Sequence, residues 1–156
     1  MPLTNNAVVI DSNIIIAICA KEKGKHKTAQ SAFDSHAKQG FEFFAPSVII
    51  AEVMYILCQK QHDGTLTKIE YDEAIETLKA LMTIISPVPN GEASLIDSAE
   101  RIRSSYGCSR SSDSLFIALA EELAKTYAVE ILTFDKGFIN HEAKNAQNVK
   151  INLLMI

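Results

Sequence analysis

The sequence lacks the features of a membrane-inserted or secreted protein. Hydrophobic residues make up 47% of its 156 residues, but they never form the run of roughly 18 that a membrane-spanning helix needs. The segment 1–6 has neither the basic start nor the small-residue cleavage site of a signal peptide. We therefore expect a cytoplasmic protein, and this length suits a single domain over residues 1–156.

Cysteine and histidine are too few and too scattered to predict a disulfide framework or a zinc site. The chain has three cysteines, an odd number, and none of them forms a CxxC pair. We expect them to pack as small hydrophobic residues: Cys19, Cys58 and Cys108. The histidines show no HxH or i, i+4 ligand spacing, so we expect surface positions for all of them: His26, His36, His62 and His141.

Positive charge is in deficit. The chain carries 15 Lys and Arg against 19 Asp and Glu, a formal net charge of −4. A protein that held nucleic acid through charge alone would be basic, so this balance argues against a passive nucleic-acid coat. It does not argue against an enzyme whose bound cations invert the local field.

Four carboxylates occur within or beside apolar segments. Asp11 and Asp135 each follow a short apolar run, Asp113 opens a longer one, and Glu52 is the only charge in the segment 43–58. An ionised carboxylate in apolar surroundings costs several kcal/mol unless a partner compensates it. No matching set of cations lies nearby in the sequence, so a divalent metal ion is the expected partner if the four acids converge.

The alternation of short apolar runs with longer amphipathic stretches predicts an α/β domain with a mostly parallel sheet. The predicted strands are residues 7–10, 41–45, 84–89, 130–133 and 150–153. The predicted helices are residues 12–21, 26–38, 47–59 with Ser47 as N-cap, 68–82, 92–105, 113–126 and 136–144. Ligands in open α/β sheets bind beyond the carboxyl ends of the strands, so all four acids are expected at one edge of the sheet.

Each acid also has an ordinary structural explanation. Asp11 and Asp113 could be helix N-caps, where Asp is among the best residues, and Asp135 could be a turn residue. Glu52 is the hardest to explain in this way, because its helix is apolar almost all round and is expected to be buried. The joint position of the four at one edge of the sheet favours a shared site.

The segments around these acids resemble the PIN domain family of metal-dependent nucleases, and in length and architecture the VapC-like toxin ribonucleases within it. The matching segments occur in the family's order at residues 8–13, 45–53, 112–120 and 131–138. The resemblance implies a PIN-like three-layer α/β/α sandwich with a mostly parallel central sheet of about five strands. It also implies hydrolysis of RNA phosphodiester bonds, as the toxin of a toxin–antitoxin pair with an antitoxin protein as partner.

The family's catalytic and metal-binding acids carry over one by one onto Asp11, Glu52, Asp113 and Asp135. The metal implied is Mg²⁺ or Mn²⁺, and we expect Asp11 and Asp113 to be its principal ligands. The motif's hydroxyl positions are filled by Ser12 and Thr133, which we expect to support the acids. Asn13 occupies a variable position of the motif and is left out of the expected set.

Two surface features predict partners. A lysine-rich segment between the first two helices is a candidate to bind RNA phosphates, with a solvated surface as the alternative: Lys21, Lys23, Lys25 and Lys27. The helix 48–59 is apolar on more faces than one core needs, which predicts a homodimer.

Other α/β phosphate chemistries fit less well. A haloacid-dehalogenase type of phosphotransferase would have an Asp where Asn13 stands, a receiver domain would have paired acids, and a dinucleotide-binding domain would have GxGxxG after the first strand. The alternative that stays open is a catalytically inactive or solitary PIN-like scaffold that binds RNA or a protein partner.

Overall fold

The computed structural model describes residues 5–105, 113–137, 146 and 148–156. Within them a four-stranded sheet has the order β2-β1-β3-β4, and all three pairings are parallel. The strands are β1 Asn6–Ile10, β2 Glu42–Phe44, β3 Ala128–Thr133 and β4 Val149–Leu153. Strand β1 is central, and its last four residues are buried, as expected for an apolar run covered on both faces of a parallel sheet.

Six α-helices and one 3₁₀ turn flank the sheet in the described part of the chain. They are α1 Ser12–Cys19, α2 His26–Lys38, α3 Val48–His62, α4 Lys68–Ile84, the 3₁₀ turn Glu92–Leu95, α5 Ile96–Ser104 and α6 Asp113–Leu123. Helix α1 packs on α2, α3 and α4, whereas α6 packs on α5, β1 and β3. No helix among these residues is both long and apolar enough to cross a membrane. The predicted α/β/α class with a parallel sheet is confirmed.

The predicted fifth strand, residues 84–89, is wrong. Ile84 is the last residue of α4, and the segment touches the sheet through a single parallel bridge between Ser86 and Phe44. Ser86 N donates to the carbonyl of Phe43 at 2.7 Å. Pro87 and Pro89 follow, and a proline has no N–H to continue a ladder. The described sheet therefore has four strands, not about five.

The other predicted boundaries of described helices and strands differ by up to three residues, as is usual at the ends of such elements. The predicted helix 92–105 divides into the 3₁₀ turn and α5. The predicted helix 136–144 lies outside the described residues from 138 onward.

Helix α3 begins with a cap that the sequence does not reveal. Ser47 occupies the N-cap position, but its side chain makes no capping hydrogen bond. Instead, Glu92 Oε1 accepts the hydrogen bond from Ser47 N at 2.7 Å. The predicted N-cap position of Ser47 is confirmed, but the side chain that accepts a hydrogen bond at this end belongs to Glu92 of the 3₁₀ turn.

Two predictions of burial are also wrong. Cys19 is buried, as predicted, but Cys58 is exposed on α3, whose buried face presents Ile49, Val53 and Leu57 instead. His36 was expected at the surface and is buried in the core. Cys108 and His141 lie outside the described residues.

His36 is buried because α2 and β3 supply it with two acceptors. Its Nδ1 lies 2.7 Å from the carbonyl oxygen of Ala32, and its Nε2 pairs with Glu130. Asn152 of β4 donates to the same Glu130 oxygen at 2.9 Å. A doubly protonated imidazolium satisfies both acceptors, so this charged pair ties α2 to β3 and β4.

Candidate active site

Asp11 lies where β1 ends and α1 begins. Its backbone N–H continues the sheet by donating to the carbonyl of Leu132 at 3.1 Å. Its side chain serves as the N-cap of α1, with Oδ1 accepting from Ser12 N at 2.7 Å. Only 5% of Asp11 is exposed. The carboxylate is therefore both a helix cap and a buried acid at the carboxyl edge of the sheet.

Thr133 joins Asp11 to the end of the neighbouring strand. It is the last residue of β3 and is fully buried. Its hydroxyl donates to Asp11 Oδ2 at 2.7 Å and accepts from Asp135 N at 2.9 Å. The strand ends that carry Asp11 and Asp135 are thus held together by one side chain. Ser12, the other expected helper, places its hydroxyl at 3.5 Å from Asp11 Oδ1, a distance that gives little hydrogen-bond energy.

Two of the other predicted acids act electrostatically on Asp11. The pKa of Asp11 is raised to about 7, mainly by burial and in addition by the negative charges of Asp113 and Glu52, while hydrogen bonds from Thr133 and Ser12 oppose the shift. Glu52 is half-buried on α3 with its Oε1 enclosed, and Asp113 is the first residue of α6. The fold therefore brings acids from two other segments, α3 and α6, close enough to Asp11 for their charges to act on it.

Asp135 lies at the exposed rim of this group. Its backbone is tied to Thr133, while its Oδ1 accepts from Gly137 N at 2.8 Å and closes a short turn. A Cβ atom at Gly137 would lie 3.1 Å from that same oxygen, so a larger residue there would require the Asp135 side chain to shift by a few tenths of an ångström. The structure places the backbone of Asp135 beside the site, with its carboxylate engaged in the turn.

Asn13 is the residue that the sequence reasoning left out. Its Nδ2 lies 3.1 Å from Asp11 Oδ2 and 3.3 Å from the hydroxyl of Thr133, and its Oδ1 accepts from Phe134 N at 3.2 Å. The available signal was its position two residues after Asp11, in the first turn of the helix that follows the strand.

The donor set fits a hard divalent cation in its chemistry. Asp11, Glu52 and Asp113 offer carboxylate oxygens, which Mg²⁺ prefers, and a cation would offset their mutual repulsion. Among the residues that the structure describes, no group of three or more His, Cys, Asp or Glu side chains is arranged to hold an ion. Mg²⁺ retains several waters and takes only one or two carboxylates, so the arrangement suits it better than a closed structural cage.

The lysine-rich segment reaches the site through one residue. Lys25 is half-buried, with its Nζ 5.5 Å from the ring centroid of Phe134, the residue before Asp135. Lys21 and Lys23 line, together with Lys25, a cleft of about 980 Å³ whose other wall includes four acids of α4. The fourth predicted lysine, Lys27, is exposed on α2.

Comparison with known proteins identifies the family. The model of the PIN domain matches residues 8–144, most of the chain. The chain belongs to the PIN domain family. The predicted resemblance is therefore confirmed, and the PIN family is a family of nucleases. No curated protein matches this PIN domain by sequence.

Solved structures share the fold of this PIN domain at low identity. One is the structure of VapBC2 from Rickettsia felis bound to a DNA fragment from the VapBC2 promoter. It superposes with a TM-score of 0.64 at 14% identity, covering 96% of this chain and 99% of that one. FitAB bound to an IR36 DNA fragment gives a TM-score of 0.60 at 13% identity, covering 94% of each chain. FitAcB from Neisseria gonorrhoeae gives 0.58 at 15% identity, covering 92% of this chain and 95% of that one. At such identities the likeness shows the fold alone.

Proposed function

We propose that this PIN domain is an endoribonuclease that hydrolyses RNA phosphodiester bonds with Mg²⁺ or Mn²⁺. The observation that carries the proposal is the buried Asp11 at the carboxyl edge of the sheet, with Asp113 and Glu52 close enough for their charges to act on it. A cluster of carboxylates held apart from water is strained when empty and is relieved by a divalent cation. We also propose that the protein acts in the cytoplasm, where RNA is available as its substrate.

In the proposed mechanism, Asp11 and Asp113 are the principal metal ligands, and Glu52 and Asp135 complete the shell directly or through water. When bound, the metal would polarise the phosphoryl oxygen and lower the pKa of the attacking water. Thr133 and the backbone N–H of Ser12 hold the Asp11 carboxylate in one orientation. The proposed support from Ser12 therefore comes through its backbone N–H, since its hydroxyl lies 3.5 Å from Asp11 Oδ1.

The test is an RNA-cleavage assay in Mg²⁺ or Mn²⁺ with matched charge-neutralising variants. Asp11→Asn and Asp113→Asn should each abolish cleavage while the circular dichroism spectrum stays native. Asp34→Asn is the control, because Asp34 is an exposed acid on α2 with a side-chain partner of its own. Full cleavage by cleanly purified Asp11→Asn protein would refute the assignment.

The RNA backbone is proposed to approach along the lysine segment 21–27, with Lys25 the member beside Phe134. Neutralising a phosphate contact lowers affinity and flattens its salt dependence, by a slope of about 0.7 per charge on a single strand. Lys25→Ala should therefore change the salt slope of RNA binding. Lys79→Ala on α4, whose amine pairs with Glu76, should leave it unchanged.

We further propose that the protein is the toxin of a toxin–antitoxin pair and binds an antitoxin protein. The fold it shares with the DNA-bound VapBC2 and FitAB structures supports this role. A small upstream reading frame that encodes a DNA-binding start and an amphipathic tail is expected beside the gene. Its product should co-purify with this protein and inhibit cleavage, and a gene neighbourhood without such a frame would argue for a solitary nuclease.

One observation favours a second candidate function. In the described part of the chain, no three potential ligands are arranged around a common point, as an inactive PIN-like scaffold that binds RNA or a protein would also show. Calorimetry with Mn²⁺, run beside the cleavage assay, separates the two: a nuclease binds the metal and cleaves, whereas a scaffold does neither.

A further inference from the structure

The side chain of Asn13 makes all of its described hydrogen bonds to groups of the acid site. Its amide has two N–H donors and one oxygen acceptor. The amide nitrogen lies 3.1 Å from Asp11 Oδ2 and 3.3 Å from the Thr133 hydroxyl, two oxygens that are themselves 2.7 Å apart, so one N–H is shared between them. The amide oxygen accepts from Phe134 N at 3.2 Å. The reverse orientation would set the amide nitrogen against the N–H of Phe134, so these contacts fix which way the amide points.

Asn13 also determines where Thr133 directs its proton. A hydroxyl has one donor and two acceptor positions. Asp135 N donates to the Thr133 oxygen at 2.9 Å and Asn13 Nδ2 donates to it at 3.3 Å. Both acceptor positions are thereby occupied, and the remaining O–H points to Asp11 Oδ2 at 2.7 Å.

These contacts distinguish the two oxygens of Asp11. Oδ2 accepts from both Thr133 and Asn13, which occupies its two lone-pair positions. Among the described residues, Oδ1 accepts a hydrogen bond of normal length from Ser12 N alone, at 2.7 Å. The carboxylate therefore presents one oxygen to the fold and keeps acceptor capacity on the other.

We propose that Asn13 is a positioning residue of the acid site, which orients Asp11 so that Oδ1 faces the metal and which holds the segment before Asp135 in register with it. The inference rests on the proposed metal-dependent function. Asn13 touches neither metal nor RNA in this scheme and acts through Asp11, Thr133 and the backbone of Phe134.

The experiment is Mn²⁺ titration by calorimetry on the full chain without RNA. Partners that orient metal ligands typically contribute 10- to 100-fold in metal affinity, so Asn13→Ala should raise the Mn²⁺ Kd about tenfold or more. Asn152→Ala is the matched control, because Asn152 also donates an amide hydrogen bond at 2.9 Å, to Glu130. It should leave the Mn²⁺ Kd unchanged. Asn13→Ser is the second variant to measure if Asn13→Ala does not fold.

A double-variant cycle tests the route through Thr133. Thr133→Val removes the hydroxyl, and its effect on the Mn²⁺ Kd should be less than additive with that of Asn13→Ala, since both act on Asp11 Oδ2. In the cleavage assay Asn13→Ala should lower kcat with little change in KM for RNA.

The outcomes separate this inference from the function on which it rests. If the wild type binds Mn²⁺ and cleaves RNA, and Asn13→Ala binds Mn²⁺ with the same Kd, the positioning role is overturned and the nuclease proposal stands. A wild-type protein that neither binds Mn²⁺ nor cleaves RNA overturns both.

Discussion

Burial of Asp11 makes the unfolding free energy of the metal-free protein depend on pH. Its folded-state pKa is raised from 3.8 to about 7, with burial as the largest cause. Between those values the native state binds a proton that the unfolded state has released, so stability falls as the pH rises through this window. Each pH unit of displacement is worth about 1.4 kcal/mol, which makes the loss about 4 kcal/mol at most.

We predict that Asp11→Asn removes this loss. In chelator, the unfolding free energy of the wild type should fall relative to that of Asp11→Asn between pH 4 and pH 7, and the two curves should run parallel above it. Denaturant titrations at several pH values measure the difference, and subtraction cancels the other titrating groups. The exposed-acid variant Asp34→Asn should follow the wild type, and parallel curves for Asp11→Asn across the whole range would contradict the prediction.

Metal binding should reverse the same destabilisation. A ligand that binds only the native state stabilises it by about 2.7 kcal/mol at one hundred times its Kd. Mn²⁺ should therefore raise the Tm of the wild type above pH 7 and leave that of Asp11→Asn nearly unchanged. An equal shift of Tm in both proteins would place the bound metal elsewhere.

The site residues differ in how visible they are in the sequence. The proximity of Glu52 and Asp113 to Asp11 could be predicted because a charge inside an apolar segment is conspicuous, and their catalytic role stays a proposal. Asn13 could not be separated from an ordinary first-turn residue, because its importance depends on Thr133, which lies 120 positions away. His36 was misplaced for the same reason: its partner Glu130 lies 94 positions along the chain.

The charged pair of His36 on α2 and Glu130 on β3 also makes the stability of the protein depend on pH. The hydrogen bond that His36 donates to Glu130 raises the pKa of His36. Burial alone would raise the pKa of Glu130, but hydrogen bonds from His36 and Asn152 together lower it. The stabilisation from His36 is full below pH 6.5 and is lost as the pH rises through its folded pKa, and that from Glu130 is lost as the pH falls below 4.5.

We predict that removing one partner of this pair is more harmful than removing both. The side chains are only 10% and 11% exposed, and leaving one buried charge uncompensated costs about 3–5 kcal/mol. His36→Leu should lower the unfolding free energy by an amount of that order at pH 6, whereas His36→Leu with Glu130→Leu should recover much of it. Equal losses in the single and double variants, measured by denaturant titration, would contradict this.

The cap on α3 gives a smaller prediction. Glu92→Ala removes the acceptor of the Ser47 N–H, and loss of a cap costs about 1 kcal/mol. Glu92→Gln keeps an acceptor oxygen at that position and should lose less. Thermal unfolding of the two variants beside the wild type measures the difference, and equal Tm values for Ala and Gln would argue against the cap.

The elements that the sequence did not predict correctly depend on contacts between distant segments. The strand expected at 84–89 was inferred from its apolar residues, but only one N–H pairs before the prolines intervene. Helix α3 was predicted to begin where it does, yet its cap comes from Glu92, 45 positions away. Local patterns predicted the type of nearly every described element, whereas the links between elements required the fold.

For the molecule as a whole, we predict a homodimer that forms through an exposed apolar face of α3. On α3, Ile50, Met54 and Tyr55 are 41%, 48% and 63% exposed. Met54→Lys with Tyr55→Lys should shift the protein to monomer in sedimentation velocity. Ile69→Lys is the control, since Ile69 is 72% exposed on α4; a wild-type protein that already sediments as a monomer would remove the prediction.

The single domain over residues 1–156 also stays a prediction, with the family match extending over 8–144. A single cooperative unfolding transition, coincident by calorimetry and circular dichroism, is the expected result. Two separate transitions would contradict it.

The bridge between Ser86 and Phe44 has a consequence for behaviour at high concentration. Strand β2 is an outer strand of the sheet, and an open outer strand is a template on which other chains can polymerise. The bridge occupies part of the β2 edge. Pro87 and Pro89 have no N–H with which the strand of another chain could form further hydrogen bonds. The segment that fails to become a strand thus makes the β2 edge a poorer template for pairing with another chain.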